Sequence, residues 1–111
     1  MSQHLYLLQR LTALLLAPLV LIHMALIAWA MGDGLSGGEI LARTRGSLGW
    51  GLFYGVFVGC AALHGAIGLR TVGREWLRLD RRRAGGLGWL ALLLLLALGL
   101  RAVLAVTGGG A

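Results

Sequence analysis

The sequence predicts an all-α integral membrane protein, a single-domain bundle of three transmembrane helices with its amino terminus in the cytoplasm. Three observations lead there. Three mostly apolar runs are each long enough to cross ~30 Å of hydrocarbon, which takes ~20 residues of helix. Apolar residues make up 59% of the 111-residue chain and charged residues only 13%, too few to cover a water-soluble domain of this size. All ten basic residues are arginine, and six of them lie between Arg70 and Arg83, in the short connection between the second and third runs. Arginine-rich short loops stay in the cytoplasm.

The first helix is expected over about residues 5–31. Ala28-Trp29-Ala30 has the small-x-small look of a signal cleavage site. The run is longer than a signal core and is interrupted by His23, so it is read as a retained span. The first connection holds Gly32, Asp33, Gly34, Ser36, Gly37 and Gly38, then a polar stretch from Glu39 to Arg45. The second helix is expected over about 48–70. It carries Gly51, Gly55 and Gly59 at four-residue spacing, a close-packing face for another helix. The partner of that face is the first helix, the third helix or another subunit. The third helix is expected over about 87–106. With the arginine-rich connection inside, the first connection and the carboxyl terminus fall outside, and the protein is placed as multi-pass in a bacterial inner membrane.

The net charge of +6 is explained by this topology signal rather than by nucleic acid. A single cysteine, Cys60, makes neither an internal disulfide nor a zinc site and is read as a small packing residue. No Ser–His–acid set, phosphate loop or paired carboxylates lie within a span, which disfavours an enzyme acting alone.

Ionisable groups in lipid are expensive and need a reason. Four fall in or near the spans: Arg10, His23, His64 and Arg101. At ~1.5 Å per residue, His23 and His64 sit at depths differing by roughly 15 Å, too far apart to grip one ion or one haem. A membrane histidine either bonds a neighbouring helix or ligates a cofactor. Metal ligation needs a cluster, whereas haem needs one axial ligand per side. His64 has Cys60, Ala61 and Gly68 on its face, small residues that let a flat ring approach; both explanations stay open. Arg101 is either a snorkelling anchor or a partner for an acid such as a haem propionate at the depth of His23. Arg10 has the same anchoring alternative.

Gln9-Arg10-Leu11-Thr12-Ala13 opens the first span, and His64-Gly65-Ala66-Ile67-Gly68-Leu69-Arg70 closes the second, followed by Glu75-Trp76. Over roughly residues 6–76 this resembles the membrane-anchor subunits of succinate dehydrogenase and fumarate reductase, respiratory complex II. Those anchors have three helices, an Arg followed by Ser or Thr in the first, and His-x-x-x-Gly in the second. The third span matches only as an apolar helix.

The resemblance implies a cytochrome b-type anchor. His64 matches the axial ligand to haem b, and Arg10 the arginine near the ubiquinone or menaquinone site, with Thr12 on the next turn. Trp76 falls where some members carry a quinone-bonding Tyr. Thr71 stands where some carry a second His. Di-haem members have a first-helix histidine about eleven residues past a Ser or Thr, a spacing that Thr12 and His23 reproduce. His23 then ligates a second haem, with Arg101 at hand for its propionates; Arg70 and Gly68 are the corresponding propionate or packing residues beside His64. Each haem takes its second ligand from a related three-helix subunit or a second copy of the chain. An iron–sulfur subunit, seated on a flavoprotein, docks on the cytoplasmic face. Two alternatives remain: a haem-free, quinone-binding structural anchor, and an unrelated small membrane bundle.

Overall fold

The computed structural model describes residues 2–108. The chain's first and last residues, whose sidedness is part of the expected topology, lie outside the described residues. The chain forms α1 (Gln3–Gly32), α2 (Gly37–Thr44), α3 (Leu48–Glu75) and α4 (Arg81–Thr107), with no strand among the described residues. The expected all-helical class holds. α1, α3 and α4, of 30, 28 and 27 residues, are the three helices long and apolar enough to cross a membrane.

Each span outruns its apolar stretch because hydropathy marks what lies in hydrocarbon, while a helix continues until something caps it. α4 begins at Arg81, not near Leu87, because the Asp80 carboxylate accepts from Arg83 N at 2.7 Å. Ser2 and Ser47 cap α1 and α3 in the same way, each accepting a backbone N–H at 3.2 Å. α2 falls within the stretch expected as a connection. A capping box starts it: Ser36 Oγ accepts from Glu39 N at 3.2 Å, and Glu39 Oε1 accepts from Ser36 N at 3.4 Å.

α3 is the central helix. α4 packs along one side of it and α1 along another, while α1 and α4 barely meet. Small residues set the α3–α4 approach: Ala62, Ala66, Ala84 and Ala91 are buried in it. A Cβ on Gly88 would sit 3.3 Å from Arg70 Cβ and 3.4 Å from Ala66 O, and one on Gly99 would overlap Val58 Cγ1. The Gly51, Gly55 and Gly59 run is not this interface. Among the described residues nothing lies within 4 Å of a Cβ on Gly55 or Gly59, and Gly51 meets only Thr107 Oγ1, at the end of α4, at 4.0 Å.

The inward face of α1 runs Leu5, Gln9, Thr12, Leu16, Leu19, His23, Leu26 and Ala30. The alternating steps of four and three keep one stripe against a partner helix, the geometry of a coiled-coil seam. At the end away from the arginines, the α2–α3 connection satisfies carbonyls that α4 leaves open. Thr44 Oγ1 donates to Val106 O at 2.6 Å, and Gly46 N, in a residue with φ of +72°, donates to Thr107 O at 3.0 Å.

Candidate functional site

The α1–α3 seam buries its polar groups in two places. At the arginine-rich half, Thr12 is 3% exposed. Its hydroxyl lies 2.9 Å from Leu8 O and 3.0 Å from Gln9 O on its own helix, and 3.3 Å from His64 Nδ1 across the seam. A hydroxyl has one proton. The two carbonyls are nearer than the imidazole, and with the proton given to the backbone the oxygen accepts from His64 Nδ1–H. That tautomer leaves the Nε2 lone pair free. Nε2 makes no hydrogen bond among the described residues and is not sealed inside the bundle.

Gln9 completes this half. Its Nε2 donates to His64 O at 3.2 Å, and that donation fixes which way the amide points. Gly68 lies beside it: a Cβ there would make ordinary contact with Gln9 Nε2, at 3.6 Å. Gln9 Oε1 is then a buried acceptor without a donor among the described residues. Ala61 is half-buried and Cys60 buried beside His64. One nitrogen oriented by a second shell, the other unbonded, and small neighbours on the helix: these residues fit an axial haem ligand.

The second place lies eleven positions further along α1, roughly 16 Å of helix. His23 Nδ1 is 3.5 Å from the Tyr54 hydroxyl, and the rings of Tyr54 and Phe57 present themselves edge-on at 5.6 and 5.3 Å. His23 lines a groove of about 350 Å³ with Tyr54, Phe57, Val58 and Val103. The two histidines thus occupy separate sites, at the separation their helix positions imply. Among the described residues no three of His, Cys, Asp or Glu come together.

The remaining candidates are not brought together. Arg10 is exposed on the face of α1 away from Thr12; its Nη1 donates to Tyr6 OH at 3.1 Å, and its guanidinium stacks over the Tyr6 ring at 5.6 Å. Thr12 faces His64 rather than the outer surface where Arg10 lies. Trp76 caps the end of α3 and is 79% exposed. Arg101 is exposed and does not line the His23 groove. Arg70 lays its stem across Gly88 on α4, with Cβ and Cδ 3.3 and 3.8 Å from where that Cβ would be.

Sequence reasoning missed three residues. Tyr6 stands one turn before Arg10 and Gln9 three positions before Thr12, so helical spacing carried the signal. Tyr54 is hidden in an aromatic run, Trp50, Phe53, Tyr54 and Phe57, whose spacing suits lipid contact equally well.

No curated protein and no solved structure matches the chain. The model of one protein family, described as the succinate dehydrogenase/fumarate reductase transmembrane subunit, matches residues 1–100. That match covers the first two spans, most of the third and both histidines, and with it the chain belongs to the succinate dehydrogenase/fumarate reductase transmembrane subunit family.

Proposed function

We propose that this chain is the haem b-binding anchor of its complex, passing electrons between an iron–sulfur subunit and a membrane quinone. The Thr12–His64 bond carries the proposal, because it holds the imidazole in the tautomer an axial ligand needs. A haem b held by His64 supplies a one-electron carrier between the two. The second axial ligand comes from a related three-helix subunit or a second copy of this chain. His23, which lines the 350 Å³ groove, is the proposed ligand of a second haem at the far side.

The six arginines from Arg70 to Arg83 put their end of the bundle on the cytoplasmic side of a bacterial inner membrane. The iron–sulfur subunit and its flavoprotein dock there. This chain's share of the quinone site is the exposed Arg10–Tyr6 pair, a hydroxyl and a guanidinium that can both donate to a carbonyl oxygen. Trp76, exposed at the same end of the bundle, is this chain's further candidate, and the opposing wall comes from the docked subunits.

The test is haem per flavin in the detergent-purified complex, for the native chain and for His64→Ala and His23→Ala. The expected result is loss of the arginine-side haem in His64→Ala and of a distinct, far-side haem in His23→Ala. Full haem in His64→Ala overturns the ligand assignment. A native complex with flavin and no haem makes the chain a quinone-binding structural anchor instead.

A further inference from the structure

A second feature lies between α1 and α4 across α3, at the arginine-rich end. An apolar groove of about 260 Å³ is lined by Leu8, Ile67, Gly85, Trp89 and Leu92, and it ends at Arg70. Arg70 also belongs to the next cavity, a polar pocket of about 540 Å³ with Arg74, Arg81, Thr71, Glu75 and Ser2. The apolar trough and the basic cup are therefore neighbours, with Arg70 in the wall of both.

The charges in the cup are unbalanced. Three arginines and a single acidic residue, Glu75, line it. None of the three is in an ion pair among the described residues, where one ion pair occurs, Arg83–Asp80 at 3.9 Å, outside the pocket. Arg74 is steadied by donating to Leu79 O at 3.4 Å. Trp89, 68% exposed, stands at the rim of the trough, where an indole marks the membrane interface. The apolar part thus lies at acyl-chain depth and the basic part at headgroup depth.

We propose that trough and cup form one site for an anionic phospholipid, with its phosphate among Arg70, Arg74 and Arg81 and an acyl chain in the trough. A basic pocket between transmembrane helices at the inner face has the chemistry for such a headgroup. A neutral amphiphile such as a quinone leaves three guanidiniums without an anion. The site is separate from His64, which bonds to α1 across the seam and lines neither cavity; Arg70, which the resemblance offers as a propionate or packing residue, is here assigned to the phosphate.

The experiment uses the whole complex in detergent, equilibrated with phosphatidylglycerol or phosphatidylcholine, washed, and assayed by mass spectrometry for lipid retained per complex. The native complex is expected to keep phosphatidylglycerol in preference to phosphatidylcholine. Arg70→Gln and Arg81→Gln are each expected to lower that retention about fivefold, the effect of ~1 kcal/mol per arginine. Gly85→Leu tests the trough without touching a charge. Nothing lies within 4 Å of a Cβ at Gly85, so the helix accommodates the side chain while the trough fills, and retention falls. Arg45→Gln, at the opposite end, leaves it unchanged. Equal retention of the two lipids by the native complex overturns the proposal. So does unchanged retention in Gly85→Leu, or a quinone lost from that variant in place of the lipid.

Discussion

The two halves of the α1–α3 seam carry the same pair of groups in opposite order. In the arginine-rich half the hydroxyl is on α1 and the histidine on α3, Thr12 to His64; in the far half the histidine is on α1 and the hydroxyl on α3, His23 to Tyr54. The pairs differ in what else the hydroxyl touches. Thr12 gives its proton to carbonyls of its own helix at 2.9 and 3.0 Å, so it can only accept from His64. Tyr54 has no such commitment among the described residues, and its 3.5 Å contact is at the limit of a hydrogen bond. The fold therefore favours one tautomer of His64, while that of His23 is left to whatever fills its groove. A threonine inside a helix orients an imidazole; a phenol reaching across a seam only meets one.

Substitutions can break that comparison. Thr12→Val keeps the shape and removes the acceptor, leaving His64 Nδ1–H unpaired. Loss of a second-shell partner typically costs ~10–100-fold in affinity, and haem titration of the complex is expected to show a loss of that size. Tyr54→Phe is expected to change binding at His23 only a few-fold by the same titration. Equal losses at the two sites would mean that the Thr12 bond does not preset its histidine.

Packing separates the halves as well. Gly99→Ala drives a Cβ into Val58, a stiff β-branched side chain on the wall of the far groove. Overpacking of this kind costs about 1–3 kcal/mol, to be read as a lower melting temperature of the detergent complex. Gly65→Ala lies in the other half and meets only the tip of Leu95, at 3.1 Å. The leucine is half open and flexible, and alanine gains helix propensity, so the net change is expected within about 0.5 kcal/mol. A large effect there would show that the arginine-rich half is the more tightly packed one.

The smallest effect is at the turn between α3 and α4. Arg78 holds φ at +55°, a left-handed conformation that glycine adopts without strain. Arg78→Gly relieves this, offset by the extra freedom of the unfolded chain. The expected gain is about 0.5 kcal/mol, again as melting temperature, with haem binding at both seam sites unchanged.

The sequence by itself determined the class and the three spans, because burial in lipid demands long apolar helices and a hydropathy pattern displays them directly. It also determined the separation of His23 from His64, since helical rise converts residue number into depth. It did not show α2, whose capping box is a two-residue signal with no apolar run behind it. Nor did it show which glycines pack: the evenly spaced Gly51, Gly55 and Gly59 stay largely uncovered, while Gly88 and Gly99 take the close contacts.

Only the tertiary structure decided what each polar group touches. Thr12 and Arg10 are two residues apart, yet a helix turns ~200° between them, sending one to His64 and the other to the outer face. Which of those faces is inner depends on where α3 lies, and that is set by side-chain packing across the seam rather than by local sequence.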